Sequence, residues 1–169
     1  TARSRAIWLG ANLGTAFLAS AVINIFEDTI EKVVALAILM PIVASMGGVA
    51  GSQTLTLAIR SEALGQLVDS NQIWLIKREL AVGAINGFVW AAIVAAAATI
   101  VFDDMLLGGI IASALIINLL IAALAGAVLP GVLKSIGADP AISGSVVLTT
   151  ITDVVGFMSF LGLASFFYA

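Results

Sequence analysis

Five long apolar runs, at about residues 7–26, 33–59, 80–102, 105–133 and 141–168, dominate this sequence and leave it few possible folds. Each is about 20 residues or longer, the length a helix needs to cross roughly 30 Å of hydrocarbon. In that layer no water satisfies a free backbone N–H or C=O, so a lone apolar run has to be helical. The totals agree: 62% of residues are hydrophobic and 10% charged, where a soluble domain carries about 25% charged residues. The expected fold is an all-α integral membrane protein, a single transmembrane domain over residues 1–169 with five spans.

The connecting segments set the orientation. Arg3, Arg5, Arg60, Lys77, Arg78 and Lys134 fall on one side of the membrane and Lys32 alone on the other. The positive-inside rule then places the N-terminus in the cytoplasm and the C-terminus outside, in a multi-pass protein of the cell (inner or plasma) membrane. Basic residues before the first run give it the look of a signal peptide, but it is longer than a signal core and no small-residue cleavage site clearly ends it. It reads as a spanning helix, and the chain as a piece of a longer protein. Residues 60–77 are too polar to span, and Leu64, Leu67, Val68, Ile73 and Trp74 suit a short helix docked at the cytoplasmic surface.

Several function classes drop out. The chain has no cysteine and no histidine, so thiolate and imidazole chemistry are excluded and any metal must be held by oxygen. A net charge of −3 without a basic run offers nothing to a nucleic acid. No Walker loop, GxSxG or HExxH pattern occurs, and an enzyme is not expected.

The residue that asks for a function is Asp153, inside the fifth run. A carboxylate near the bilayer centre costs roughly 2.5 to 3.5 kcal/mol on insertion scales, so it needs a partner or a role. Helical spacing puts Ser145, Thr149, Asp153 and Gly156 on one face with Thr152 beside them, a polar stripe that should face other helices. No Lys or Arg lies within a span to pair with it. The second run contains Pro41 and the small residues Gly47, Gly48 and Gly51, which predict a weakened or broken helix with carbonyls turned toward a path, together with close packing through Gly47 and Gly51. Asn12, Asn24 and Asn118 read as interhelical hydrogen-bonding residues. Glu79, beside Lys77 and Arg78, reads as solvated, although Gly83, Asn86 and Gly87 share its face. Asp139-Pro140 reads as the N-cap and first position of the fifth helix.

One Asp among threonine hydroxyls and backbone carbonyls is an all-oxygen setting suited to Mg²⁺ or Ca²⁺. Two copies meeting on a two-fold axis would bring two Asp153 carboxylates together to neutralise one divalent ion. The leading expectation is a passive divalent-cation channel. A proton- or sodium-coupled secondary transporter of a divalent cation is the alternative, and a structural membrane module the third class.

At these residues the sequence resembles the MgtE family of magnesium channels and transporters. The likeness runs through Trp8-Leu9, Phe26-Glu27, Met40-Pro41 with the glycine run and Gln53, Arg60, Lys77-Arg78-Glu79 with Gly83 and Gly87, Asp139-Pro140, and Thr149 to Gly156. It implies a homodimeric ten-helix pore that moves hydrated Mg²⁺ at the dimer interface, lined by the second and fifth spans. It implies that Asp153 binds the hydrated ion, helped by the carbonyl around Thr149 and the polar surface near Ser145. Pro41, Ser45, Gly48 and Ser52 on the second span and Gly156 on the fifth are the further candidates for the lining. The family's cytoplasmic N-terminal and CBS domains are not expected within these residues. One departure stands out: the family's Gly-Gly-Asn reads Gly47-Gly48-Val49 here.

Overall fold

A computed structural model of the chain describes residues 2–66 and 71–168. Its elements are α1 (Ala2–Ile25), the short α2 (Glu27–Lys32), α3 (Ala35–Ala63), α4 (Gln72–Phe102), α5 (Met105–Ser135) and α6 (Pro140–Phe167). All but α2 are long and apolar enough to cross a membrane, so among the described residues the structure has the five expected spans.

The helices outrun the apolar stretches that announce them. α1 begins at Ala2 and α4 at Gln72, ahead of the expected 7 and 80. Apolar length measures the hydrocarbon layer, whereas a helix continues until a residue stops it. The stops are local and chemical. Gly65 (φ +67°) and Gly137 (φ +76°) take the left-handed conformation just past α3 and α5. At α5, Gly137 N–H donates to the Lys134 carbonyl at 3.0 Å and Ala138 N–H to that of Leu133 at 2.9 Å, the paired bonds of a Schellman end. Asp103 (φ 51°) ends α4, and the next residue, Asp104, caps α5 by accepting from Leu107 N–H at 3.0 Å. Asp139 caps α6 as expected, accepting from Ala141 N–H at 3.0 Å with Pro140 at the helix start.

Two expectations are corrected. Pro41 does not break the second span: α3 runs unbroken from Ala35 to Ala63. The proline stands in the second turn, where a missing N–H removes one bond and the turns that follow are intact. The connection at 27–32 between the first two spans is itself the short helix α2. No separate surface helix follows α3 among the described residues: residues up to 63 extend α3, and those from 72 extend α4. Ile73 and Trp74 stand exposed there, the Trp74 ring lying 5.5 Å from the Arg78 guanidinium. Leu67 and Val68 lie outside the described residues.

α5 is the central post, packed by α3, α4 and α6, while α1 leans almost wholly on α6. Ile111, Ala114, Leu115, Asn118 and Ala122 of α5 are completely buried. Small residues permit the close crossings. A Cβ added at Gly126 of α5 would stand 2.7 Å from the Gly51 carbonyl oxygen of α3, too close for any side chain. Two polar clasps hold the ends: Lys134 is paired with Glu62 where α5 and α3 finish, and the Tyr168 hydroxyl donates to Asp104 where α6 finishes and α5 starts. The large apolar side chains left outside, such as Ile85, Phe88 and Ile100, form the surface that suits lipid.

Candidate functional site

An open groove of about 950 Å³ runs between α3 and α6. Asp153 and Thr149 line it from α6; Ser45, Gly48, Val49, Ser52, Gln53 and Thr56 are among the residues lining it from α3. The α3 residues recur at three- and four-residue intervals, so they form one stripe on the helix facing the α6 hydroxyls. Asp153 is partly buried in that wall. Among the described residues its carboxylate has neither an ion-pair partner nor a hydrogen-bond donor; the one salt bridge is Lys134 to Glu62.

The neighbouring hydroxyls are held by their own helix. Thr149 Oγ1 donates to the Ser145 carbonyl at 2.6 Å, and Thr150 Oγ1 to that of Val146 at 2.7 Å. Thr152, fully buried, donates to the Thr149 carbonyl at 3.2 Å. With their protons committed to the backbone, the Thr149 and Thr150 hydroxyls keep lone pairs for a donor or a cation. The Asp153 carboxylate and the Thr149 oxygen give the groove wall a hard, anionic patch that can hold a cation or accept from the waters around one.

Behind the wall stands Asn118. Its Nδ2 donates to the Val43 carbonyl at 2.9 Å, tying α5 to α3 as expected for an interhelical bond. A Cβ on Gly47 would stand 2.3 Å from that nitrogen, and one on Gly156 2.8 Å from it. Both glycines make room for the amide, and α3, α5 and α6 meet around it.

Of the candidate residues, Asp153, Thr149, Ser45, Gly48 and Ser52 share the groove. Ser145 does not: it lines a separate cleft of about 760 Å³ between α1 and α6 with Arg5, Trp8 and Asn12. Thr149 belongs to both cavities. Pro41 is exposed and outside the groove lining, and Gly156 is buried against Asn118 and Val43.

The solvated reading of Glu79 is overturned. Its side chain is buried, 5% exposed, and accepts from Thr54 Oγ1 at 3.1 Å. The sequence did hold a signal: Glu79, Gly83 and Gly87 are four apart, and both glycines are buried against α5. A carboxylate in line with such residues is carried inward.

The MgtE family, described as a divalent cation transporter, matches residues 40–163, a stretch that takes in every lining residue of the groove. The chain belongs to the MgtE family. Magnesium transporter MgtE of Bacillus subtilis (strain 168) is 32% identical over 160 residues, covering 95% of this chain and 36% of that protein. Magnesium transporter MgtE of Thermus thermophilus is 30% identical over 162 residues, 95% of this chain and 36% of its own length. That of Enterococcus faecalis is 27% identical over 166 residues, 98% of this chain and 37% of its own. The chain thus spans a little over a third of these MgtE relatives.

Proposed function

We propose that this chain forms the membrane pore of a Mg²⁺ channel, two copies facing each other across their α3–α6 grooves, with the hydrated ion passing between two Asp153 carboxylates. The observation that carries the reading is the partly buried, unpaired Asp153 in an open groove that also carries the hydroxyl and amide side chains of Ser45, Ser52, Gln53, Thr56 and Thr149 beside the apolar Val49 and Leu57. Mg²⁺ sheds its waters reluctantly and is usually bound through one or two carboxylates with several waters kept. A wide groove with one carboxylate and backbone-tethered hydroxyls serves such an ion better than a tight cage. Three relatives named as magnesium transporters support Mg²⁺ as the transported ion. The basic end of the bundle, with Arg3, Arg5, Arg60 and Lys134, is assigned to the cytoplasm.

The test is Mg²⁺ uptake into liposomes holding the full-length protein and a Mg²⁺-sensitive dye. Uptake that needs no proton or sodium gradient, and that falls at least about tenfold in Asp153→Asn, is the expected result. Undiminished uptake in that variant removes the assignment of Asp153, and dependence on an imposed gradient replaces the channel with a coupled transporter.

A further inference from the structure

The cation path leaves one buried carboxylate without a role. Glu79 faces a small, largely enclosed cavity of about 80 Å³ between α3, α4 and α5, shared with Gln53, Thr54 and Asn86. Thr54 is its hydrogen-bond partner, and its charged sequence neighbours do not reach it. Lys77 and Arg78 are exposed, and Arg78 lies over Trp74. From α5 the cavity receives only Leu119 and Ala123.

We propose that this chamber is a resident site for a small monovalent cation of the Na⁺ class, held by the Glu79 carboxylate and the side-chain oxygens of Gln53, Thr54 and Asn86. Charge argues for it: a carboxylate withdrawn from water needs an opposite charge, and the protein supplies none there. One added positive charge balances it, whereas a divalent ion leaves an excess buried. Size argues the same way. The chamber has room for two or three waters at about 30 Å³ each, fewer than the six around a fully hydrated Mg²⁺. The donor set is hard oxygen throughout, and neutral amide and hydroxyl oxygens complete a shell without adding charge. Gln53 and Leu57 line both the chamber and the groove, so the two cavities adjoin across those side chains. A resident ion of this kind needs Na⁺ to be present, not a Na⁺ gradient, so it is separable from Mg²⁺ conduction.

The experiment is thermal unfolding of the purified full-length protein in detergent, free of Mg²⁺, with Na⁺ titrated against choline at constant ionic strength. The unfolding temperature is expected to rise and saturate, by about 3 °C or more. Glu79→Gln should lose that response and Asp153→Asn should keep it. A wild type indifferent to Na⁺ overturns the proposal, as does an undiminished response in Glu79→Gln. Loss of the response in Asp153→Asn places the ion in the groove and overturns it too, and so does stabilisation by acid alone, which makes the occupant a proton. If Glu79→Gln does not fold, Asn86→Ala decides. A Na⁺ midpoint raised at least threefold supports the site, and an unmoved midpoint overturns it.

Discussion

Asn118 and Gly47 fit together as peg and socket: the amide nitrogen of the one lies where a Cβ of the other would be, 2.3 Å away, while donating to the Val43 carbonyl at 2.9 Å. Three helices are therefore registered at one buried point directly behind the groove.

Gly47→Ala is expected to cost about 1 to 3 kcal/mol, the range for overpacking a filled core. Asn118 is fully buried with its amide nitrogen tied to the Val43 carbonyl, so its side chain has nowhere to go. Thermal unfolding in detergent measures the loss, and the double variant with Asn118→Ala should recover part of it, since the added methyl then enters the vacated space.

Val49 places an apolar side chain, 56% exposed, in the groove. Apolar surface on the wall of an ion path repels water and hinders a hydrated ion. Val49→Asn should raise Mg²⁺ flux in the liposome assay about two- to tenfold with little change in stability. Flux that is unchanged or lower argues that Val49 lies off the ion's route.

These 169 residues hold no cysteine, so within them a single introduced thiol is the one that reports. Ser52→Cys, on the groove stripe, should react with a charged, membrane-impermeant thiol reagent and lose flux, with Mg²⁺ slowing the reaction. Ala91→Cys, buried between α4 and α5, should stay unmodified. Equal labelling of both positions contradicts the proposed path.

The Asp104–Tyr168 clasp predicts an acid-side effect. The Tyr168 hydroxyl, helped by Leu107 N–H, holds the Asp104 carboxyl below its ordinary range. A depressed carboxyl stabilises the fold above the ordinary carboxylate pKa, and the contribution fades as pH falls through the lowered folded value. Burial and Asp104 together push the Tyr168 hydroxyl upward, so it remains a donor at neutral pH and its contribution fades only as pH rises through that raised value. Unfolding temperatures of wild type and Tyr168→Phe should differ at neutral pH and converge on acidification toward pH 3. A gap that persists in acid assigns the effect to packing instead.

Much of this fold could be read from the residues alone because membrane helices obey a length rule and leave few alternatives. Asp139-Pro140 announced the start of α6, and Asp153 announced a polar wall, since neither residue has another reason to stand where it does. The continuity of α3 was not legible. Pro41 and the glycines look like a break, and only the surrounding helices show that the glycines are sockets for Asn118 and Leu148. Glu79 was misread for a related reason. Next to Lys77 and Arg78 a glutamate looks wet, and those adjacent charges outweighed the four-residue spacing to Gly83 and Gly87, although the meeting of α4 with α3 and α5 is what buries it.

The clasps at the two ends of α5, together with the Asn118 peg at its middle, brace the inner bundle at three heights. A barrier braced this way resists being widened from within. Any change of aperture that leaves those bonds whole has to come from its neighbours: from α1, which leans almost wholly on α6, or from whatever stands opposite the open side. For a gate, that makes the inner bundle the doorframe and leaves the hinges outside it.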